Sequence, residues 1–210
     1  MVADEVYESI KALLMDNAFE PYTRLTTDWI ATELGVSRTP VRESLARLET
    51  EGLLVKRPMA GYHVAPQLDR NGLEELYTVR LLLEPAAARL AASSATAAQL
   101  NALAPKKLGA VPNRHATYRE YRSAASEDAR FHDGVAEASG NALLRQAISR
   151  LHASVHTYRL WAHTSDLPIA ATEEHTAVLD ALRQRDPAAA EAAMRAHLDG
   201  AQARLRVAFD

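Results

Sequence analysis

Two constellations in this 210-residue chain could do chemistry. The first is the run Gly35-Val36-Ser37-Arg38-Thr39-Pro40-Val41-Arg42-Glu43. Ser37 can cap a helix there, Pro40 suits its first turn, and Arg38 and Arg42 stand four residues apart on one face. A helix N-terminus offers free N–H groups to phosphate, and arginine can grip phosphate or fork onto a guanine edge. The alternative on spacing alone is a capped surface helix with solvated arginines. The second constellation is built on histidine. Asp128 and His132 are i and i+4 neighbours, with Val135 and Ala136 continuing their face inward. His175 leads the apolar stripe Val178, Leu179, Leu182, and His197 follows Ala190, Ala193 and Met194, so both point into a bundle. Three imidazoles and one carboxylate suit Zn²⁺, with Mn²⁺ or Ni²⁺ as alternatives. His152 and His156 are also four apart, with His163 a heptad beyond His156. Spacing does not choose between the two sets, and a hydrogen-bonded core histidine is the plainer reading of each.

The elements that must position these residues differ along the chain. Over residues 1–66 the periodicity predicts three helices and a hairpin. Val6, Ile10, Leu13 and Leu14 give the first helix; Thr26 or Thr27 caps a second over 28–34, which Gly35 stops. The third buries Val41, Leu45 and Leu48 and ends at Glu51-Gly52. Leu53-Leu54-Val55 and Tyr62-His63-Val64 then flank Pro58-Met59-Ala60-Gly61 as two short strands. Three helices and a two-stranded wing make a winged helix-turn-helix domain over 1–66. The turn-rich segment Pro66–Gly72 (PQLDRNG) places a linker at 67–72. Beyond it, helical runs over 73–92, 96–104, 115–139, 141–163, 170–184 and 187–207 predict an antiparallel all-α bundle over 73–210. Asp186 with Pro187 is its clearest helix start.

Composition agrees with a mainly α fold. Gly and Pro together are scarce (8 and 9 residues), 48% of residues are hydrophobic and 24% charged. That balance excludes disorder, collagen and low complexity. There is no Cys, hence no disulfide framework and no thiolate ligand. No apolar run approaches the roughly 18 residues of a membrane span, so a cytoplasmic protein without membrane contact is expected. The net charge of −3 argues weakly against nucleic acid. Within 36–63, however, five basic residues face three acidic ones, a local +2.

The stretch LGVSRTPVRESLARLETEGLLVKRPMAGYHV, Leu34 to Val64, resembles the winged-helix domain of GntR-family transcription regulators. The resemblance implies that Arg38, Thr39 and Arg42 contact double-stranded operator DNA and that Gly61 sits at the wing tip near the minor groove; Ser37 opens the same helix. One departure is that the family often has an acidic residue where Thr27 stands, and some members an Arg at Asp28. LEELYTVRLLLEPAAA (Leu73–Ala88) is similar to the opening helix of the FCD ligand-binding domain of FadR-type members of that family. Asp128-Ala129-Arg130-Phe131-His132, Ala138-Ser139-Gly140-Asn141, Glu174-His175 and Met194-Arg195-Ala196-His197-Leu198 resemble the rest of it. The resemblance implies metal ligation by Asp128, His132, His175 and His197. It gives Arg80 the grip on a small carboxylate effector, the alternative being a surface salt-bridge residue, and Asn141 the turn between helices, the alternative being a pocket contact. His152 and His156 fall outside the pattern. The function implied is a homodimeric, metabolite-responsive regulator, a repressor in the commoner family outcome, and not an enzyme. The competing readings are a metal-dependent enzyme on a small carboxylate with Glu173 or Glu174 as base, or a metal that is purely structural or itself the signal.

Overall fold

The computed structural model describes residues 3–105, 117–161 and 167–210. His163, and the first two residues of the helix expected from 115, lie outside the described residues. The chain divides into two compact units: one runs to Gln67 and takes in Thr117–Arg119, the other begins at Leu68.

In the first unit α1 (Ala3–Met15) is followed by β1 (Arg24–Leu25), α2 (Thr27–Leu34), α3 (Arg38–Thr50), β2 (Leu54–Arg57) and β3 (Gly61–Val64). The apolar stripe of α1, Val6, Ile10 and Leu14, is buried, as are Val41, Leu45 and Leu48 of α3; together they make the core expected from their helical spacing. Thr26 caps α2 by accepting from the Trp29 N–H, and Gly35, in the left-handed region at φ 65°, closes it. At the other end of α3, Glu51 is the anchor: Tyr7 Oη donates to it at 2.6 Å and Lys11 Nζ at 2.7 Å. Burial opposes the charge on Glu51, but these hydrogen bonds outweigh it and hold the carboxyl below its ordinary value. The sheet has three strands in the order β1-β3-β2, all antiparallel, with Leu54 opposite Val64 and Arg24 opposite His63. The sequence showed two of them. β1 spans two residues, too few for a period of two to be visible.

The second unit is helical: α4 (Arg70–Ser94), α5 (Ala97–Ala102), α6 (Tyr118–Ala138, all but its first two residues), α7 (Ala142–Ser149), α8 (Ala153–Trp161), α9 (Leu167–Arg183) and α10 (Pro187–Arg206), with a 3₁₀ turn Val207–Phe209. Helix α4 begins three residues before the expected Leu73, because Asp69 Oδ1 accepts from the Gly72 N–H at 2.7 Å and caps it. The helix expected as one piece over 141–163 is two, α7 and α8. The break falls where His152 adopts φ 47°, a left-handed conformation that ends a helix. At α10 the expected cap is present: Asp186 Oδ1 accepts from the Ala188 and Ala189 N–H groups, each at 3.0 Å. Leu73 and Tyr77 of α4, Val178, Leu179 and Leu182 of α9, and Ala190, Met194 and Leu198 of α10 fill the interior.

Candidate functional site

The two constellations occupy different units. In the helical unit α6 supplies Asp128 and His132, α9 His175 and α10 His197, and one ligand atom from each lies within 4.8 Å of the others. His132 Nε2 stands 3.2 Å from His197 Nε2 and 3.7 Å from Asp128 Oδ1; His175 Nε2 is 3.6 Å from the same oxygen. Four donors bound about 2.0–2.2 Å from one tetrahedral centre would stand roughly 3.3–3.6 Å apart, so these separations suit a shared cation. The outer nitrogens of two rings meet carboxylates. His132 Nδ1 lies 2.5 Å from Glu84 Oε2, off ideal hydrogen-bond alignment, and His197 Nδ1 lies 2.7 Å from Glu174 Oε2. A carboxylate accepts, so each Nδ1 carries the proton and each Nε2 is left with a lone pair. Two lone pairs at 3.2 Å cannot satisfy each other, and His175 Nε2 is buried without any hydrogen-bond partner. The residues fit a divalent cation on these grounds.

The electrostatics disfavour a charge on His175 and His197. Burial, reinforced by its two histidine neighbours, holds His175 far below its ordinary value. Burial also lowers His197, although the Glu174 hydrogen bond works against it. Glu174 is itself held down, to about 2: burial opposes this, but hydrogen bonds from His197 and Arg204 prevail. Phe131 stacks on His175 at 4.0 Å and fixes its plane.

Arg80 is not a surface residue. It is 4% exposed, it donates from Nε to Glu84 Oε1 at 2.6 Å, and its guanidinium lies over the Tyr77 ring. It lines a cavity of about 20 Å³ together with Asp128, His132, His197, Tyr77 and Thr157. The Tyr77 and Thr157 hydroxyls, buried there, make no hydrogen bond of good geometry. Sequence reasoning missed both, and missed Glu84 as the neighbour of His132; it considered Glu174 only as a base. Glu84 and His132 are 48 positions apart, and only the packing of α4 against the bundle could reveal the pair. Asn141 caps α7 by accepting from the Leu144 N–H at 3.1 Å, and does not line this cavity. His152 stands at the α7–α8 break, and His156, on α8, is driven down to about 4 by burial, then by Arg159 and His152. Neither belongs to the cluster.

In the winged unit Ser37, Arg38, Thr39 and Arg42 are exposed along the start of α3. Ser37 takes the N-cap position without a side-chain capping bond, which differs from the expectation and leaves the first N–H groups of α3 for another acceptor. Arg38 Nε meets Asp28 Oδ1 at 2.7 Å, both side chains being largely exposed. Gly61, at φ 83°, opens β3 opposite Arg57, next to the turn that carries the fully exposed Met59.

Comparison with known proteins follows the same division. The family described as bacterial regulatory proteins, gntR family, matches residues 2–64, and the FCD domain family matches residues 75–200. A probable D-xylose utilization operon transcriptional repressor of Paenarthrobacter nicotinovorans is 36% identical over 80% of this chain and 73% of its own. A putative L-lactate dehydrogenase operon regulatory protein of Escherichia coli (strain K12) is 32% identical over 94% of this chain and 83% of its own. The solved structure of E. coli McbR/YncC superposes over 100% of both chains with TM-score 0.66 at 22% identity, a likeness of fold.

Proposed function

This chain belongs to the gntR family of bacterial regulatory proteins and carries an FCD domain, so it is a transcription regulator of a family that binds DNA; we propose that it is a homodimeric repressor released from its operator by a small hydroxy acid bound in the helical domain. Arg38, Thr39 and Arg42 read or grip the duplex, the uncapped start of α3 at Ser37 receives a phosphate oxygen, and Gly61 lets the wing approach the minor groove. Two such domains match two half-sites.

In the helical domain Asp128, His132, His175 and His197 would hold a divalent cation, Zn²⁺ suiting the donor set, with Mn²⁺ or Ni²⁺ as alternatives. A cation there would supply an electrophilic seat for one carboxylate oxygen. Arg80, fixed by Glu84, presents its guanidinium to the acid, and Tyr77 and Thr157 offer hydroxyls that pair with a hydroxyl on the ligand. The observation that carries this reading is that Arg80, the Tyr77 and Thr157 hydroxyls, which meet each other without a hydrogen bond of good geometry, and three of the four donors line one small cavity. The relative named for an L-lactate dehydrogenase operon is in keeping with an acid of that size. Glu174 is committed to His197 and Arg204, with hydrogen bonds of 2.7–2.8 Å, which favours an orienting role over that of a catalytic base.

The test uses DNA selected by the purified, Zn²⁺-loaded protein from a random duplex pool. Lactate, pyruvate, succinate and propionate are titrated against the complex. A hydroxy acid should release the DNA at lower concentration than propionate, and Arg80→Lys, which keeps a cation beside the buried Glu84 but loses the guanidinium fork, should raise that concentration about tenfold while DNA affinity without acid stays the same. Indifference to all four acids in the loaded protein would overturn the effector reading.

A further inference from the structure

The turn between β2 and β3 is held in a shape that its central residue does not favour. Arg57 opposite Gly61 is the last pair of the two strands, and the Ala60 N–H donates back to the Arg57 carbonyl at 3.1 Å. Pro58 fixes the first central position, and Met59 takes the second at φ 61°. Glycine or asparagine ordinarily fills that left-handed position, because a larger side chain crowds the backbone there. The turn would therefore form more readily without methionine. What methionine adds is a long, unbranched apolar side chain. This one stands wholly in water, and no other large apolar side chain among the described residues is as exposed.

The charges around Met59 indicate what receives it. Arg57 stands at one foot of the turn; at the other, Arg24 Nε lies 3.9 Å from where a Cβ on Gly61 would sit. The Lys56 and Arg57 cations lie over the rings of Tyr62 and Tyr22, 5.6 Å and 5.5 Å from their centres. Arg24, Lys56 and Arg57 are all exposed, and the chain has no Asp or Glu from Gly52 to Pro66. An apolar tip with a guanidinium at each foot matches a groove with phosphates along both lips. The minor groove, about 6 Å wide, admits a tight turn but not a helix. Its floor presents mostly acceptors, and a thioether has no proton to give them. An apolar side chain gains there by sliding between two base planes, as the wedges of minor-groove proteins do. We infer that Met59 is such a wedge: it enters the minor groove beside the half-site, partly unstacks one base step and bends the duplex there. The inference rests on the operator binding proposed above and adds a source of specificity to it. Pyrimidine–purine steps open most easily, so the wing favours TA or CA/TG at that step without hydrogen-bonding a base.

The test uses the duplex selected by the full, Zn²⁺-loaded chain, with 2-aminopurine placed at successive positions through and beside each half-site. Its fluorescence rises where stacking is lost, and energy transfer between dyes on the two duplex ends reports the bend. With the wild-type protein one position beside each half-site should brighten. Met59→Gly should abolish that signal, straighten the duplex, weaken binding about tenfold and erase the step preference in a fresh selection. Because glycine relieves the turn, those losses would not come from a misfolded wing, and an unchanged melting temperature checks this. Met59→Leu, which keeps an apolar wedge, should retain most of the signal, and Met59→Ala should not. A wild-type chain that selects its half-sites but brightens no position, or a Met59→Gly chain that brightens and bends the duplex like the wild type, would overturn the wedge and leave operator binding standing. A chain that selects no duplex at all would remove the operator reading and the wedge with it.

Discussion

A carboxylate that touches neither DNA nor a cation can still set the strength of a site. Glu174 holds the outer nitrogen of His197 at 2.7 Å, so the inner one faces the other donors as a lone pair. Outer partners of this kind are typically worth about 10–100-fold in metal affinity. Glu84 does the same for His132, but its replacement would leave Arg80 buried and unpaired, a large destabilisation in its own right. Glu174 is the cleaner test, since Arg204 is partly exposed and can turn to water. Glu174→Gln should therefore lower Zn²⁺ affinity about 10–100-fold, read by competition with a chelating dye, with helix content intact. Unchanged affinity would mean the pairing is incidental. Little of this was legible in the residues alone. Helical spacing placed His132, His175 and His197 on inward faces, but it also offered His152 and His156, four apart, as a rival metal pair. Which faces share an interior is decided by α4, α9 and α10 packing together, a long-range fact that periodicity does not contain; the resemblance, rather than the spacing, singled out the cluster.

Among the elements, α3 shows most clearly what local sequence can and cannot say. Its extent, its buried stripe and its exposed arginines follow from spacing, because a surface helix announces its inner face every three or four residues. The ion pair between Arg38 and Asp28 does not, since it joins two helices across the Gly35 turn. Both partners are exposed, and such pairs are worth about 0–1 kcal/mol, so phosphate or a base edge can compete for Arg38. Arg38→Ala and Arg42→Ala should each weaken binding to the selected duplex by about 1–3 kcal/mol where the side chain reaches a base. Asp28→Ala should leave affinity equal or raise it a few-fold, because it frees Arg38 and removes a negative charge beside DNA. An Asp28→Ala loss as large as that of Arg38→Ala would show that the pair acts as one contact unit. The two-residue β1 and the break at His152 were invisible for a related reason. One has no period to read, and the other depends on a left-handed residue type that sequence rarely betrays outside glycine and asparagine.

For the whole molecule, the relevant fact is that the four donors tie α6, α9 and α10 of one unit and none of the other. The broad division was legible, because the hairpin and the turn-rich Pro66–Gly72 end one pattern before long helical runs begin. Its edges were not, since α4 starts inside the expected linker. A ligand that binds only the folded form at 100 times its dissociation constant stabilises by about 2.7 kcal/mol. At about 2–4 °C per kcal/mol for a unit of this size, that corresponds to roughly 5–10 °C. Withdrawing the cation with a chelator should lower the helical unit's melting transition by that amount and leave the winged unit where it was. Trp29 and Trp161 are the chain's two tryptophans, so a Trp161→Phe variant leaves Trp29 fluorescence as a reporter of the winged unit while circular dichroism follows the helix-rich one. The dichroism transition should fall on chelation and return with Zn²⁺, while the Trp29 transition stays fixed. Equal shifts in both would show that the two units unfold together, and the cation would then be stabilising the whole regulator. No shift in either would mean that the donor cluster holds no cation worth measuring.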